Sequence, residues 1–125
     1  MNIDVLFHSE RDVSDTIVVH KGDYGYDITF TCYDDSTGEL DEIDISEYDI
    51  LFKVWVKGNP DNPIVDAVCT VSDLSHYDCT YTIIDGDFDQ TGNYLYEIEL
   101  TDEHFTIIIN SNSGILLVKE SGNTI

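Results

Sequence analysis

Apolar and polar residues alternate with a period of two along most of this chain. In "YDITFTCYD" (26–34), Ile28, Phe30 and Cys32 alternate with Thr29, Thr31 and Tyr33. "DILFKVWVKG" (49–58) sets Ile50, Phe52, Val54 and Val56 against Leu51, Lys53, Trp55 and Lys57. "NYLYEIEL" (93–100) places Tyr94, Tyr96, Ile98 and Leu100 on one face and Leu95, Glu97 and Glu99 on the other. Such alternation is the mark of a strand with one face toward a core. Further strands are predicted at "DTIVVH" (15–20), "IVDAVCTV" (64–71), "CTYTII" (79–84), "HFTIIIN" (104–110) and "GILLVKE" (114–120). Val, Ile, Thr, Tyr and Phe dominate them, as a pleated surface favours.

Clusters of turn residues separate these runs: "DDSTGELD", "GNPDNP", "SDLSHYD", "DGDFDQTG", "LTDEH" and "NSNSG". No ten-residue stretch carries a helical stripe, although "DISEYD" suits one short turn. Strands at this spacing predict an all-β antiparallel sandwich of about seven to nine strands. Residues 16–125 are assigned to it, with Ile28, Phe30, Val54, Val56, Tyr94 and Ile98 in its core. Residues 1–15 fit less well. Val5, Leu6 and Phe7 form a short apolar run followed by a charged segment, read as an edge strand or as an arm that docks on a neighbour. In the docking version, the triplet buries its apolar surface against another subunit.

A chain of 125 residues is long enough for one domain with a real core, and 42% of its residues are hydrophobic. The N-terminus has no basic segment and no signal-peptide core, so synthesis in a cytoplasm is expected. Charge changes the picture most. There are 26 acidic and 5 basic residues, a formal net charge of −21. Nucleic acid and anionic membranes repel such a surface, so neither is an expected partner. The charge fits a high-salt habitat, or a surface that meets a basic partner or multivalent cations. Cys32, Cys69 and Cys79 show no CxxC spacing and are read as reduced, buried residues. Cys69 and Cys79 are compatible with adjacent strands, which leaves a disulfide between them open.

The densest acidic motif is "DGDFDQTGNY" (85–94). On the EF-hand template, Asp85, Asp87 and Asp89 take the first three ligand positions. The template then needs glycine where Gln90 stands and a bidentate glutamate where Tyr96 stands. Weak, adventitious calcium binding is the most this loop suggests, and no metal site or cofactor is expected. Asp89, Gly92 and Tyr94 instead form a D-x-x-G-x-Y run leading into a strand. It resembles the tyrosine corner of immunoglobulin-like sandwiches, in which a tyrosine hydroxyl bonds back to nearby backbone. Trp55, on the third strand of such a fold, suits the same architecture. An antibody domain would have its second disulfide cysteine at Tyr96, so that bridge cannot form.

Catalytic patterns are missing. His8, His20, His76 and His104 show no metal-ligand spacing, and no nucleophile elbow or phosphate loop is present. The run Asp34, Asp35, Glu39, Asp41, Glu42 reads as a solvated acidic loop, not as paired catalytic carboxylates. No catalytic residues and no enzymatic activity are expected.

The segment "HKGDYGYDITFTCYDDSTGELDEIDISEYDILFKVWVKG" resembles the opening of the N-terminal domain of phage baseplate upper proteins. That family shows a "GD" start, a "lTF" strand, a "G..vdlt" segment and an "i.f.v" strand. The later runs "IVDAVCTVSD", "CTYTIIDGDFDQTGNYLYEIELTD" and "FTIIINSNSGILLVKES" follow the family's order, so the similarity spans roughly residues 16 to 120. It implies an immunoglobulin-like structural module of a tailed virus particle, attaching or connecting parts of the tail, baseplate or fibre. Its expected partners are other virion proteins and copies of itself, as a homo-oligomer within an assembly. Its expected place is the virion, after synthesis in the host cytoplasm. Two alternatives stay open: a capsid decoration or head-fibre attachment protein, and a non-viral sandwich module that binds carbohydrate or protein.

Overall fold

The protein is described here by a computed structural model covering residues 1–9 and 13–120. All regular structure in those residues is β. Eleven strands form: β1 (Asn2–Phe7), β2 (Ile17–His20), β3 (Asp27–Asp34), β4 (Asp41–Glu42), β5 (Asp49–Val56), β6 (Val65–Val68), β7 (Thr70–Val71), β8 (Asp78–Thr82), β9 (Gly92–Thr101), β10 (Ile107–Ile109) and β11 (Gly114–Lys119). They build two packed sheets. One has the order β1-β3-β8-β7 with β4 on β3, and the other has β2-β11-β9-β5-β6 with β10 on β9.

Burial follows the alternation. On β9, Tyr94, Tyr96, Ile98 and Leu100 are buried while the residues between them are not. On β3 the buried set is Ile28, Phe30 and Cys32, and on β5 it includes Ile50, Phe52 and Val54. Val56 departs from expectation. It lies in register with Tyr94 but at the mouth of the sandwich, and is 45% exposed. Four rings meet midway between the sheets: Phe30 and Tyr81 from one, Phe52 and Tyr96 from the other. Ring centroids lie 5.0 Å apart for Phe30–Phe52, 5.3 Å for Phe52–Tyr81 and 6.1 Å for Phe52–Tyr96. An inter-sheet disulfide would occupy this place in an antibody domain, and here rings tilted against one another join the sheets instead. Gly114, opposite Tyr96, has no side chain because one would not fit: a Cβ there would lie 2.2 Å from the Tyr96 ring.

The sheets are mixed, not purely antiparallel. β1 runs parallel to β3, and β2 runs parallel to β11. The N-terminal segment is therefore divided between the layers, β1 on an edge of one sheet and β2 on an edge of the other. The docking-arm version is corrected at Val5 and Phe7, while residues 10–12 of the same segment lie outside the described residues. Val5 and Phe7 are fully buried in the chain's own core, while Leu6, 7% exposed, faces the other way and lines a hollow at the β1 edge. β1 is an edge strand, and its outer rim is closed. The Asp4 and Leu6 N–H groups donate to Asp15 Oδ2 (2.9 Å) and Ser14 Oγ (3.0 Å). The Asp15 and Ser111 N–H groups donate to the Asp4 and Leu6 carbonyls. An edge satisfied in this way offers little to an added strand.

Two other runs differ from expectation. The stretch 64–71 is divided between the sheets, with β6 pairing β5, β7 pairing β8 and Cys69 at the crossing. The chain crosses at the sandwich rim, so its apolar side stays inward while its hydrogen-bond partners change. In 104–110, only β10 is extended. Asp102 Oδ1 accepts the N–H groups of His104 and Thr106, which folds the first part into a turn with Phe105 at φ 62°. Cys32, Cys69 and Cys79 are buried and free. Hydrogen bonding to Cys79 and burial push the Cys32 and Cys69 thiols far up.

Candidate functional site

The corner residues fall where the chain turns into β9. The Tyr94 hydroxyl donates to the Gln90 carbonyl at 2.9 Å, tying the strand to the turn before it. Gly92, at φ 154°, allows that path, and the Tyr94 ring lies 3.6 Å from where its Cβ would stand. Asp89 is exposed and its carboxylate makes no hydrogen bond among the described residues. Tyr94→Phe is expected to cost roughly 0.5–1.5 kcal/mol, the net worth of one hydrogen bond. Thermal unfolding of the variant checks this, and an unchanged midpoint would mean that the bond contributes nothing.

The other aspartates of the loop have separate surroundings. Asp85 is exposed. Asp87 accepts a short hydrogen bond from the Tyr81 hydroxyl and another from the Ile84 N–H at 2.9 Å. Asp87 thus fastens a turn to the aromatic core, and burial together with Asp87 raises the Tyr81 phenol. Among the described residues, no three His, Cys, Asp or Glu side chains converge into a cation-binding set.

The two outer faces of the sandwich differ in chemistry. On the β1-β3-β8-β7 sheet, the outward positions carry Asp4, Asp27, Glu42 and Asp78, with threonines between and no lysine. At its β1 edge, Asp4, Asp15 and Asp35 line a hollow of about 500 Å³ together with Leu6, Val13 and Leu40. Burial, then Asp15 and Asp78, raise the Asp4 carboxyl above its usual range. No lysine stands among the outward positions of these strands to offset the carboxylates.

The outward face of the six-stranded sheet is apolar at one end. Trp55, Leu95 and Ile115 are cross-strand partners and form one row over β5, β9 and β11. Asn93, Leu117 and Val18 form the next row, reaching β2. Ile115 is 44% exposed and Val18 37%. A hollow of about 390 Å³ opens among Lys57, Leu95, Ile115 and Leu117. Further along the face, Lys53 Nζ lies 3.6 Å from Glu99 Oε2. Burial and then Glu99 raise the neighbouring Glu97 carboxyl, and Lys53 partly offsets them.

Trp55 thus points away from the core, covered by its neighbours to 7% exposure. Phe52 takes the inter-sheet place that a sandwich tryptophan would fill. Sequence reasoning did not find this face. Its signal was available in the apolar residues at polar-phase positions, namely Leu51, Trp55 and Leu95, which a solvated sheet face has no need of.

No protein-family model and no curated protein matches the chain. Among solved structures, the fold is similar to the N-terminal domain of phage TP901-1 ORF48. The TM-score is 0.67 at 9% sequence identity, over 95% of this chain and 97% of that one. At this identity the likeness is one of fold.

Proposed function

We propose that this chain is a non-enzymatic attachment or connector module of a tailed virus particle, placed in the tail, baseplate or fibre. The observation that carries the proposal is the fold shared, over nearly its whole length, with the N-terminal domain of a phage protein. The order of sequence motifs supports it independently, because that order resembles the N-terminal domain of phage baseplate upper proteins. Strand order favours the immunoglobulin-like form of the sandwich. β3-β8-β7 follows the order B-E-D and β11-β9-β5-β6 follows G-F-C with one variable-type strand added, while β1 takes the place of strand A but runs parallel to β3.

What the molecule offers a partner is faces. One outer face is acidic and the other is apolar and mixed in charge, which suits contact between subunits better than turnover of a small substrate. Other virion proteins with basic surfaces are the proposed partners of the acidic side, and the virion is the proposed place of action. The test is mass spectrometry and antibody labelling of purified particles of the virus that encodes the chain. The chain is expected in the particles, with label on the tail. Its absence from particles would overturn the proposal, and glycan binding by the isolated chain would then favour a carbohydrate-binding module.

A further inference from the structure

We infer that the outer face of the six-stranded sheet is a contact surface between two copies of this chain, packed face to face about a two-fold axis. Charge separates this face from the rest of the surface. A chain carrying −21 repels its own copies over most of its surface. Lysines are gathered on this one face: Lys53 and Lys119 point outward from β5 and β11, and Lys57 continues the row from the turn after β5. Against them stand Asp49, Asp66, Glu97 and Glu99, so the face is close to neutral. The opposite outer face has carboxylates and no lysine. A like-charged copy can approach closely on the mixed face and is repelled on the other.

Apolar area points the same way. The rows Trp55–Leu95–Ile115 and Leu117–Val18 run across four neighbouring strands, with an open hollow among them. Covering such a patch is favourable at roughly 25 cal/mol per Å². A strongly basic partner would find its complement on the acidic face instead, and an acidic partner gains nothing from a face of near-zero charge. A second copy presents the same mixture. In a two-fold contact, lysines of one copy stand over carboxylates of the other, and each apolar row meets its equivalent or the other's hollow. Association by strand addition at β1 is closed, because the rim of that edge is already bonded.

The contact requires only the purified chain and does not depend on the virion role. Sedimentation equilibrium of the full chain, from micromolar to millimolar concentration, is expected to show a monomer–dimer equilibrium. Its direction with salt is specific. The local contact is nearly neutral while the whole molecules repel, so dimerisation should tighten from about 0.05 M to about 0.5 M salt as screening lengths shrink. Ile115→Asp puts a charge on an exposed position and should weaken the dimer by about tenfold or more, as for a central interface residue, with the melting temperature unchanged. Thr80→Asp, on the opposite outer face, should leave the dimer intact. Should Ile115→Asp prove unstable, Val18→Asp gives the same test at another exposed position. A chain monomeric under all these conditions, or a dimer that survives both face substitutions, would overturn the inference.

Discussion

A chain lacking residues 2–7 is expected to lose its cooperative thermal transition. The deletion removes β1 and with it Ile3, Val5 and Phe7, three side chains buried against both sheets. It also strips the partner from the β3 edge between Thr29 and Asp34. Phe7 alone sets the scale. Replacing a buried phenylalanine by alanine costs about 3–5 kcal/mol, against a total of about 5–15 kcal/mol for a domain. Phe7→Ala should therefore lower the melting point strongly, and the deletion should abolish the transition followed by circular dichroism. A truncated chain that melts sharply near the parent's temperature would show that β1 is an accessory.

The second large effect is expected at Phe52. Its ring contacts Phe30, Tyr81 and Tyr96, so it ties both sheets together where a disulfide is absent. Phe52→Ala should cost about 3–5 kcal/mol, from lost burial and the cavity left behind. Each broken aromatic pair is worth roughly 0.5–1.5 kcal/mol of that. Surroundings make collapse into the cavity difficult, because the Tyr96 ring is wedged against Gly114 and its hydroxyl donates to the Asp15 carbonyl at 2.5 Å. Urea unfolding measures the loss, with Phe105→Ala as the control. Phe105 is 85% exposed in a turn, so that change should fall within about 0.5 kcal/mol. A Phe52→Ala loss no larger than the control's would remove the aromatic cluster as the link between the sheets.

Much of this was legible in the chain itself. Alternation along β3, β5 and β9 identified both the strands and their inward residues, since only one face of each pleated strand is apolar. The spacing Asp89–Gly92–Tyr94 located the turn whose tyrosine bonds back to backbone. The candidate surfaces were less legible. Asp85, Asp87 and Asp89 are close in sequence, yet one fastens a turn to Tyr81 and another stands free in solvent. Val5, Leu6 and Phe7 looked unpartnered because their partners lie at residues 29–34 and in the opposite sheet, far along the chain.

The division between the two sources has a physical cause. Local pattern fixes what a residue does to its own strand: which side is apolar, where a turn must interrupt, where glycine is needed. It determined an all-β chain with a single core. Strand order, the parallel pairing of β1 and β2, and the crossing at Cys69 depend on hydrogen bonds between residues distant in sequence, to which alternation is blind. The contrast between the faces is of the same kind. Lys53, Lys57 and Lys119 are spread over the sequence, and only the order β11-β9-β5 gathers them beside Trp55, Leu95 and Ile115 and leaves the opposite face acidic.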